Sequence, residues 1–234
     1  MPDQPVAKGP LIEIRNNNAT VDLAGHHLSS KRPTGDGAWI SDTSYGPSYN
    51  IKLRNGSIVT SDRPTVYAVQ TWNLGNKRFG HGLSMAASGG NITQYRHTEY
   101  VLENLTLEAD GVVIVMQGKK NTIRNCKIIG GNGTVNVYGP NLLFEDNEII
   151  LNAKDPQKEG DEPPVALYLE DAADSIVRNN RITIKGHAAK TDAIVLKNSP
   201  NVQLEGNTIK GTKDVYRLLD ERSSVVGKAN TAVP

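Results

Sequence analysis

Between Val101 and Ile150 the segments VLENLTL, TIRNCKI and LFEDNEI succeed one another at intervals of twenty-one residues. Leu107, Ile128 and Ile149 fall in one column, and Leu102, Ile123 and Phe144 in another, five residues earlier. Asn104, Asn125 and Asp146 sit between the two. A fixed short period of this kind restricts the chain to stacked, near-identical units. The columns extend upstream through Leu53, Asn55 and Ile58, then Leu23, Gly25 and Leu28. Downstream they continue through Val177, Asn179 and Ile182, then Leu204, Gly206 and Ile209. Within each segment apolar and polar residues alternate, which is the period of a strand rather than a helix.

Two strands joined at a sharp Asn-bearing corner leave room for a third strand per turn. GAWIS (37–41), GLSMA (82–86), VVIVMQ (112–117), TVNVY (134–138), VALYLE (165–170), AIVLK (193–197) and VYRLL (215–219) supply it. The expectation is an all-β fold, a right-handed parallel β-helix of about eight coils stacked at ~4.8 Å. A β-sandwich with Asn-rich turns does not require coincidence in three columns. The corner asparagines are expected to form a ladder, each amide hydrogen-bonding the next coil. Residues 1–10 read as an N-terminal extension and 11–234 as a single domain. Departures from the base period place loop insertions at about 60–80, 87–98 and 151–164. These flank the third-strand sheet and wall it into a groove, since insertions in repeat folds gather on the binding face.

Composition removes several alternatives. Formal charge is +1, with Lys+Arg 26 against Asp+Glu 25, and no like-charge run exists. Neither nucleic acid nor a membrane surface is implied as a partner. No apolar stretch approaches the roughly 18 residues needed to span a bilayer. The opening MPDQPVAKGP lacks the basic start and apolar core of a signal peptide, so the compartment stays open between cytoplasmic and mature extracellular. Cys126 is the single cysteine and reads as an interior thiol rather than part of a disulfide framework. Solenoid ends need caps, and neither end carries an amphipathic helix. The expectation is a piece of a longer protein, a homo-oligomer, or ends covered by an additional chain.

Alternation identifies the outward side chains of the third-strand sheet. One ladder is Gln117, Tyr138, Glu170, Lys197; the other is Val115, Asn136, Tyr168, Val195, Arg217, with Trp39 continuing outward in an earlier coil. Aromatic faces beside amides and charges suit a polysaccharide, because rings stack on apolar sugar faces while polar groups bond hydroxyls and carboxylates. Trp39, Asn136, Tyr138 and Glu170 are therefore candidate substrate-binding residues. Tyr168, Lys197 and Arg217 are candidate catalytic residues: Lys197 or Tyr168 as base, and Arg217 as carboxylate clamp. The plain alternative is a solvated β-face on which Glu170 and Lys197 form an ordinary cross-strand pair.

TIRNCKI, LFEDNEI and IVRNNRI resemble the coils of the pectin-lyase-like β-helix superfamily, over residues 11 to about 226. The resemblance implies a protein that cleaves, epimerises or binds polysaccharides, or a tailspike or adhesin; fold alone does not choose among them. Phe79-Gly80-His81-Gly82-Leu83-Ser84 is similar to the Gly-His-Gly segment of polygalacturonases, which implies a groove role for His81. The clustered aspartates those hydrolases use are unmatched, with only Asp42 and the distant Asp192 available. A lyase or epimerase is therefore favoured over a hydrolase. Arg96 and His97 stand in an inserted turn beside the groove as further binding candidates. No cofactor is required; calcium at Glu170, Asp171 and Asp174 is the one candidate, without EF-hand spacing. The competing reading is a non-catalytic rod in which Val115 and Val195 lie in a subunit interface.

Overall fold

The computed structural model describes residues 10–30, 37–40, 48–61, 63–68, 98–131, 133–153, 164–186 and 191–234. In chain order, β1 (Ile12–Ile14), β2 (Thr20–Asp22) and β3 (His27–Ser30) make the first turn of a coil. β4 (Ala38–Ile40) and the long β5 (Tyr49–Thr60) make the second, and β6 (Val66–Ala68) and β7 (Thr98–Ala109) the third. The fourth and fifth are β8 (Ile114–Gln117), β9 (Thr122–Arg124), β10 (Lys127–Gly130), and β11 (Val135–Tyr138), β12 (Leu143–Glu145), β13 (Glu148–Ala153). The sixth is β14 (Val165–Glu170), β15 (Ile176–Arg178) and β16 (Arg181–Gly186). β17 (Asp192–Lys197), β18 (Val202–Glu205) and β19 (Thr208–Lys210) make the seventh. β20 (Tyr216–Leu218), β21 (Val225–Lys228) and β22 (Thr231–Val233) make the last of the described turns.

The first strand of each turn pairs with its equivalent in the next, giving an eight-stranded sheet β1-β4-β6-β8-β11-β14-β17-β20. The remaining strands form a fourteen-stranded sheet that bends at a corner into two faces. β5 and β7 run unbroken through that corner and tie the faces together. All the pairings are parallel. Ile128 stands in register with Leu107 and Ile149, and Ile123 with Leu102 and Phe144, so the apolar columns read from the sequence are the interior of the coil. The inward residues of the eight-stranded sheet, among them Ile114, Val137, Leu169 and Leu196, close the same core from the other side.

Three sequence expectations need correction. In the first turn Val21, not Leu23, pairs with Leu53, while Leu28 does pair with Ile58. The corner there is two residues longer. Leu23 fills it because Gly56 leaves the space: a Cβ on Gly56 would lie 2.5 Å from that of Leu23. GLSMA lies outside the described residues, and the place in the sheet between β4 and β8 belongs to β6. Val66 follows Ile58 by eight positions, close to the seven that separate Ile114 from Leu107, and Val66 and Ala68 point inward around Tyr67. Residues assigned to the 60–80 insertion therefore include a strand.

The third correction concerns the corner. Asn55, Asn104, Asn125, Asp146 and Asn179 all have left-handed backbone, φ 50 to 59, and Gly206 follows at φ 61. Asn, Asp and Gly are the residues that tolerate this conformation, so the column is selected by backbone geometry. Its side chains from Asn104 through Asn179 are exposed except where they meet a neighbour, as Asn104 Nδ2 donates to Asn55 Oδ1 at 3.1 Å. The inward amide ladder is one residue further on, at the buried Asn147, Asn180 and Asn207 and the half-buried Asn230. The Nδ2 of Asn147, Asn180 and Asn207 each donates to the Oδ1 of the next coil's asparagine, at 2.9–3.0 Å, and all four Nδ2 groups donate to a carbonyl of the preceding coil. Each Oδ1 also accepts a backbone N–H, beginning with that of Cys126 at 3.0 Å. These side chains occupy the inward position that Gly56 and Leu105 hold in β5 and β7, where backbone pairing runs straight on. Cys126 is buried at the head of the ladder, and burial pushes its thiol up to about 12.

Outside the core, the position just before the corner carries a second ladder. Asp22, Arg54, Glu103, Arg124, Glu145, Arg178, Glu205 and Lys228 stand in register along the axis, alternating in sign at every step. Arg54 lies 3.0 Å from Asp22 and 3.7 Å from Glu103; Arg124–Glu103 and Arg178–Glu145 close to 2.6 Å. Hydrogen bonding to Arg124 holds the Glu103 carboxyl below its ordinary range. Equivalent residues are neighbours here, so a column of one sign would repel along its whole length.

Replacing Asn180 by Ala strands the Asn147 amide and the Phe144 carbonyl inside the coil. The expected loss is about 3 kcal/mol, the cost of unpaired buried polar groups. Urea unfolding measures it; a loss no larger than that of the exposed corner variant Asn179→Ala would contradict the ladder.

Candidate functional site

The outer face of the eight-stranded sheet gathers most of the residues singled out in the sequence. One column runs Glu13, Trp39, Tyr67, Val115, Asn136, Tyr168, Val195, Arg217. Beside it run Gln117, Tyr138, Glu170 and Lys197. The parallel register brings side chains from eight turns onto one face because equivalents stack directly. The rings of Trp39 and Tyr67 are neighbours with centroids 6.1 Å apart and planes tilted by 32°, and those of Tyr138 and Tyr168 lie 6.1 Å apart, tilted by 58°. Tyr67 escaped the sequence reading because its segment was assigned to an insertion; the inward-outward-inward pattern of Val66-Tyr67-Ala68 is the signal that identifies it.

The face is not an open aromatic floor. Tyr168 is 0 % and Tyr138 1 % exposed, and both pack with Val112, Val115, Val165 and Val195 into a second apolar cluster on the outer side of the sheet. Val115 and Val195 supply apolar partners for the rings, so the expectation of an exposed strip through Tyr138 and Tyr168 is corrected. Asn136 and Gln117 are buried as well. Among the described residues the Tyr138 hydroxyl has no hydrogen-bond partner, and burial drives its ionisation far upward. His81, Arg96 and His97 lie outside the described residues.

Polar groups converge at the downstream edge of this cluster. The Tyr168 hydroxyl donates to Glu170 Oε2 at 2.9 Å, and Lys197 Nζ stands 3.0 Å from Glu170 Oε1. Glu170 is buried, and burial raises its carboxyl above the ordinary range against the pull of Lys197 and Tyr168. Lys197 keeps 34 % of its side chain exposed. One turn on, Arg217 is exposed and its Nη2 lies 2.7 Å from Asp192 Oδ2. Asp192 appeared in the sequence only as an isolated aspartate; its role as partner of Arg217 depends on the pairing of β17 with β20.

The three carboxylates weighed for calcium point apart. Glu170 serves Tyr168 and Lys197, Asp171 accepts from Asn198 Nδ2, and Asp174 accepts from Asn201 Nδ2 at 2.7 Å. Among the described residues no three His, Cys, Asp or Glu side chains converge on a metal position. Elsewhere, a groove of roughly 490 Å³ follows the Asn corner, lined by Lys127, Asp146, Glu148 and Arg181 in mixed sign.

A family model described as a right handed beta helix region matches residues 66–231, well over half of the chain. The chain belongs to the right-handed β-helix family. No curated protein and no solved structure matches it significantly. Membership fixes the hand and architecture of this β-helix. It suggests carbohydrate-related work of the kind common among β-helix proteins, and the specific role rests on the site.

A carboxyl whose proton is held more tightly in the folded state favours folding at low pH and withdraws that contribution as pH rises through its folded value. Glu170→Gln removes this titration. Relative to the native chain, the variant should gain stability as pH climbs above the ordinary glutamate value of 4.5. Thermal melts of both proteins from about pH 4 to 8 measure the difference, and parallel curves would show that Glu170 is not held this way.

Proposed function

We propose that this β-helix binds a polysaccharide, acidic for preference, at the downstream end of the eight-stranded sheet, and transfers protons there as a lyase or epimerase. The observation that carries the reading is the linked set of Tyr168 hydroxyl, Glu170 carboxylate and Lys197 ammonium, with Arg217 in the adjoining column. A uronate in a chain presents a carboxylate and a weakly acidic C–H beside it. Arg217 has guanidinium donors beyond the one directed at Asp192, enough for a second carboxylate. Lys197 is the group of the linked set that reaches solvent. In its neutral form the Lys197 amine is the base, positioned by Glu170 Oε1 at 3.0 Å.

In β-elimination that amine takes the C–H proton, and the freed pair forms the carbon–carbon double bond. The glycosidic C–O bond breaks, and its oxygen takes a proton from a nearby acid. Epimerisation uses the same abstraction and returns a proton to the opposite face. Tyr168 acts through Glu170 rather than on the sugar, since it is fully buried. Trp39 and Tyr67, half-buried at the upstream end, extend the same face for sugar-ring stacking.

The second reading is a non-catalytic rod. The sealed cluster of Val115, Tyr138, Tyr168 and Val195 supports it, because it gives the middle of the sheet a packing role with no open floor. Near-ultraviolet absorbance of unsaturated uronates, followed on a panel of polysaccharides, separates the two. The expected result is turnover by the native chain that Lys197→Ala and Arg217→Ala each reduce at least ~100-fold in kcat, with Tm little changed. Full turnover in both variants would remove them from the mechanism. A native chain that neither binds nor turns over any polymer of the panel leaves the rod.

A further inference from the structure

The groove along the Asn corner takes no part in the site proposed above, since it lies at the bend of the fourteen-stranded sheet. It occupies the turns in which the strand breaks at that corner. β5 and β7 run straight through, whereas β9 and β10, β12 and β13, β15 and β16, and β18 and β19 are separate strands. One wall carries the left-handed residues Asn125, Asp146 and Asn179. The other carries Lys127, Glu148 and Arg181, in register with one another. Four turns, separated by three spacings of ~4.8 Å, make a channel about 14 Å long.

Its chemistry is that of the walls. The side chains of Asn125, Asn179 and Arg181 are exposed and, among the described residues, engage no partner of their own. Lys127 Nζ stands 3.4 Å from Glu148 Oε2, so both groups keep hydrogen-bonding capacity for a third. The floor has little to offer, because backbone groups there are bonded between turns. Glu148 N–H donates to the Cys126 carbonyl and Arg181 N–H to that of Asn147. An extended peptide adding itself as a strand would find those positions taken. Sign changes from turn to turn: Lys127 is positive, Asp146 and Glu148 negative, Arg181 positive. A polymer of single charge therefore meets its own sign at one turn or the next. A hydroxyl suits every wall group, accepting from ammonium, guanidinium and amide N–H and donating to carboxylate and amide oxygens.

We infer that this groove binds a neutral, hydroxyl-rich chain, an uncharged oligosaccharide, laid parallel to the coil axis. Wall groups of the same kinds recur at each turn, so a chain that repeats its hydroxyls can meet them in succession. Each bond replaces one to water and gains little alone, and affinity builds with the number of turns engaged. The inference does not rest on the Lys197 edge. It serves equally an enzyme that grips polymer away from its reaction centre and a rod that only adheres.

Amide NMR spectra of the full chain, titrated with cellohexaose, xylohexaose and mannohexaose, test this. A neutral oligomer is expected to shift the side-chain amide resonances of Asn125 and Asn179, which hexagalacturonate and a glucosamine hexamer leave in place. Ligand at the Lys197 edge shifts other resonances, so failure of that site and failure of this one are told apart. Arg181→Ala and Asn179→Asp should each weaken the neutral oligomer about tenfold, the second keeping a residue that tolerates the left-handed corner. Asp146→Asn combined with Glu148→Gln removes the negative turn and should admit hexagalacturonate to the groove. Corner resonances unmoved by all three neutral oligomers overturn the inference. So do equal shifts with the charged oligomers, binding indifferent to the wall variants, or continued exclusion of hexagalacturonate from the neutralised groove.

Discussion

Backbone hydrogen bonds in this molecule run along the coil axis, so the nearest neighbour of a side chain is its own equivalent one turn away. Everything else follows from that placement. Apolar columns stack Ile on Leu on Ile and need no pairing code. Charged columns tolerate stacking when sign alternates, as it does from Asp22 to Lys228. Buried amides need a neighbour that both donates and accepts, which the next asparagine supplies. A residue thus meets a constraint set by its column rather than by its sequence neighbours.

The outer face of the eight-stranded sheet obeys the same rule with a different outcome. Rings and valines from successive turns make a dry cluster, and that dryness acts on Glu170 at its edge. A carboxylate in water would gain little from an ammonium 3.0 Å away; one that has lost its hydration depends on that partner and on the Tyr168 hydroxyl. Cluster and polar edge meet at Tyr168, whose ring packs in the one and whose hydroxyl serves the other. The cluster that removes the open floor is what gives the polar edge its altered proton affinity.

The fold was legible because its signal is repeated: Leu107, Ile128 and Ile149 each repeat the evidence of the others. The membership of the two outward ladders was legible too, since strand alternation fixes facing. What failed were features not set by period. Leu23 was misplaced because a corner lengthened by two residues shifts the register, and the vacancy left by Gly56 shows only in three dimensions. Exposure of Tyr138 and Tyr168 could not be read from facing, since an outward side chain can still be covered. The amide ladder was assigned to Asn125 and Asn179 when Asn147 and Asn180 carry it; φ and burial distinguish adjacent asparagines, composition does not. The charge alternation was present in Glu103, Arg124, Glu145 and Arg178 all along, visible to a reading that follows polar columns as closely as apolar ones.

The Asn–Asn bonds from Asn147 through Asn180 and Asn207 to Asn230 all run in the same direction along the axis. They form a polarised wire whose dipoles add, and each bond strengthens its neighbours. Such a wire has a beginning and an end of unequal character. At the start, Cys126 offers only its backbone N–H, and its thiol is turned to carbonyls of its own and the previous turn. At the far end of the described ladder Asn230 accepts from Asn207 and donates back to the Leu204 carbonyl. The coil interior therefore has a direction of its own, and position along that wire, more than the chemistry of any one asparagine, determines how far a local disturbance is felt.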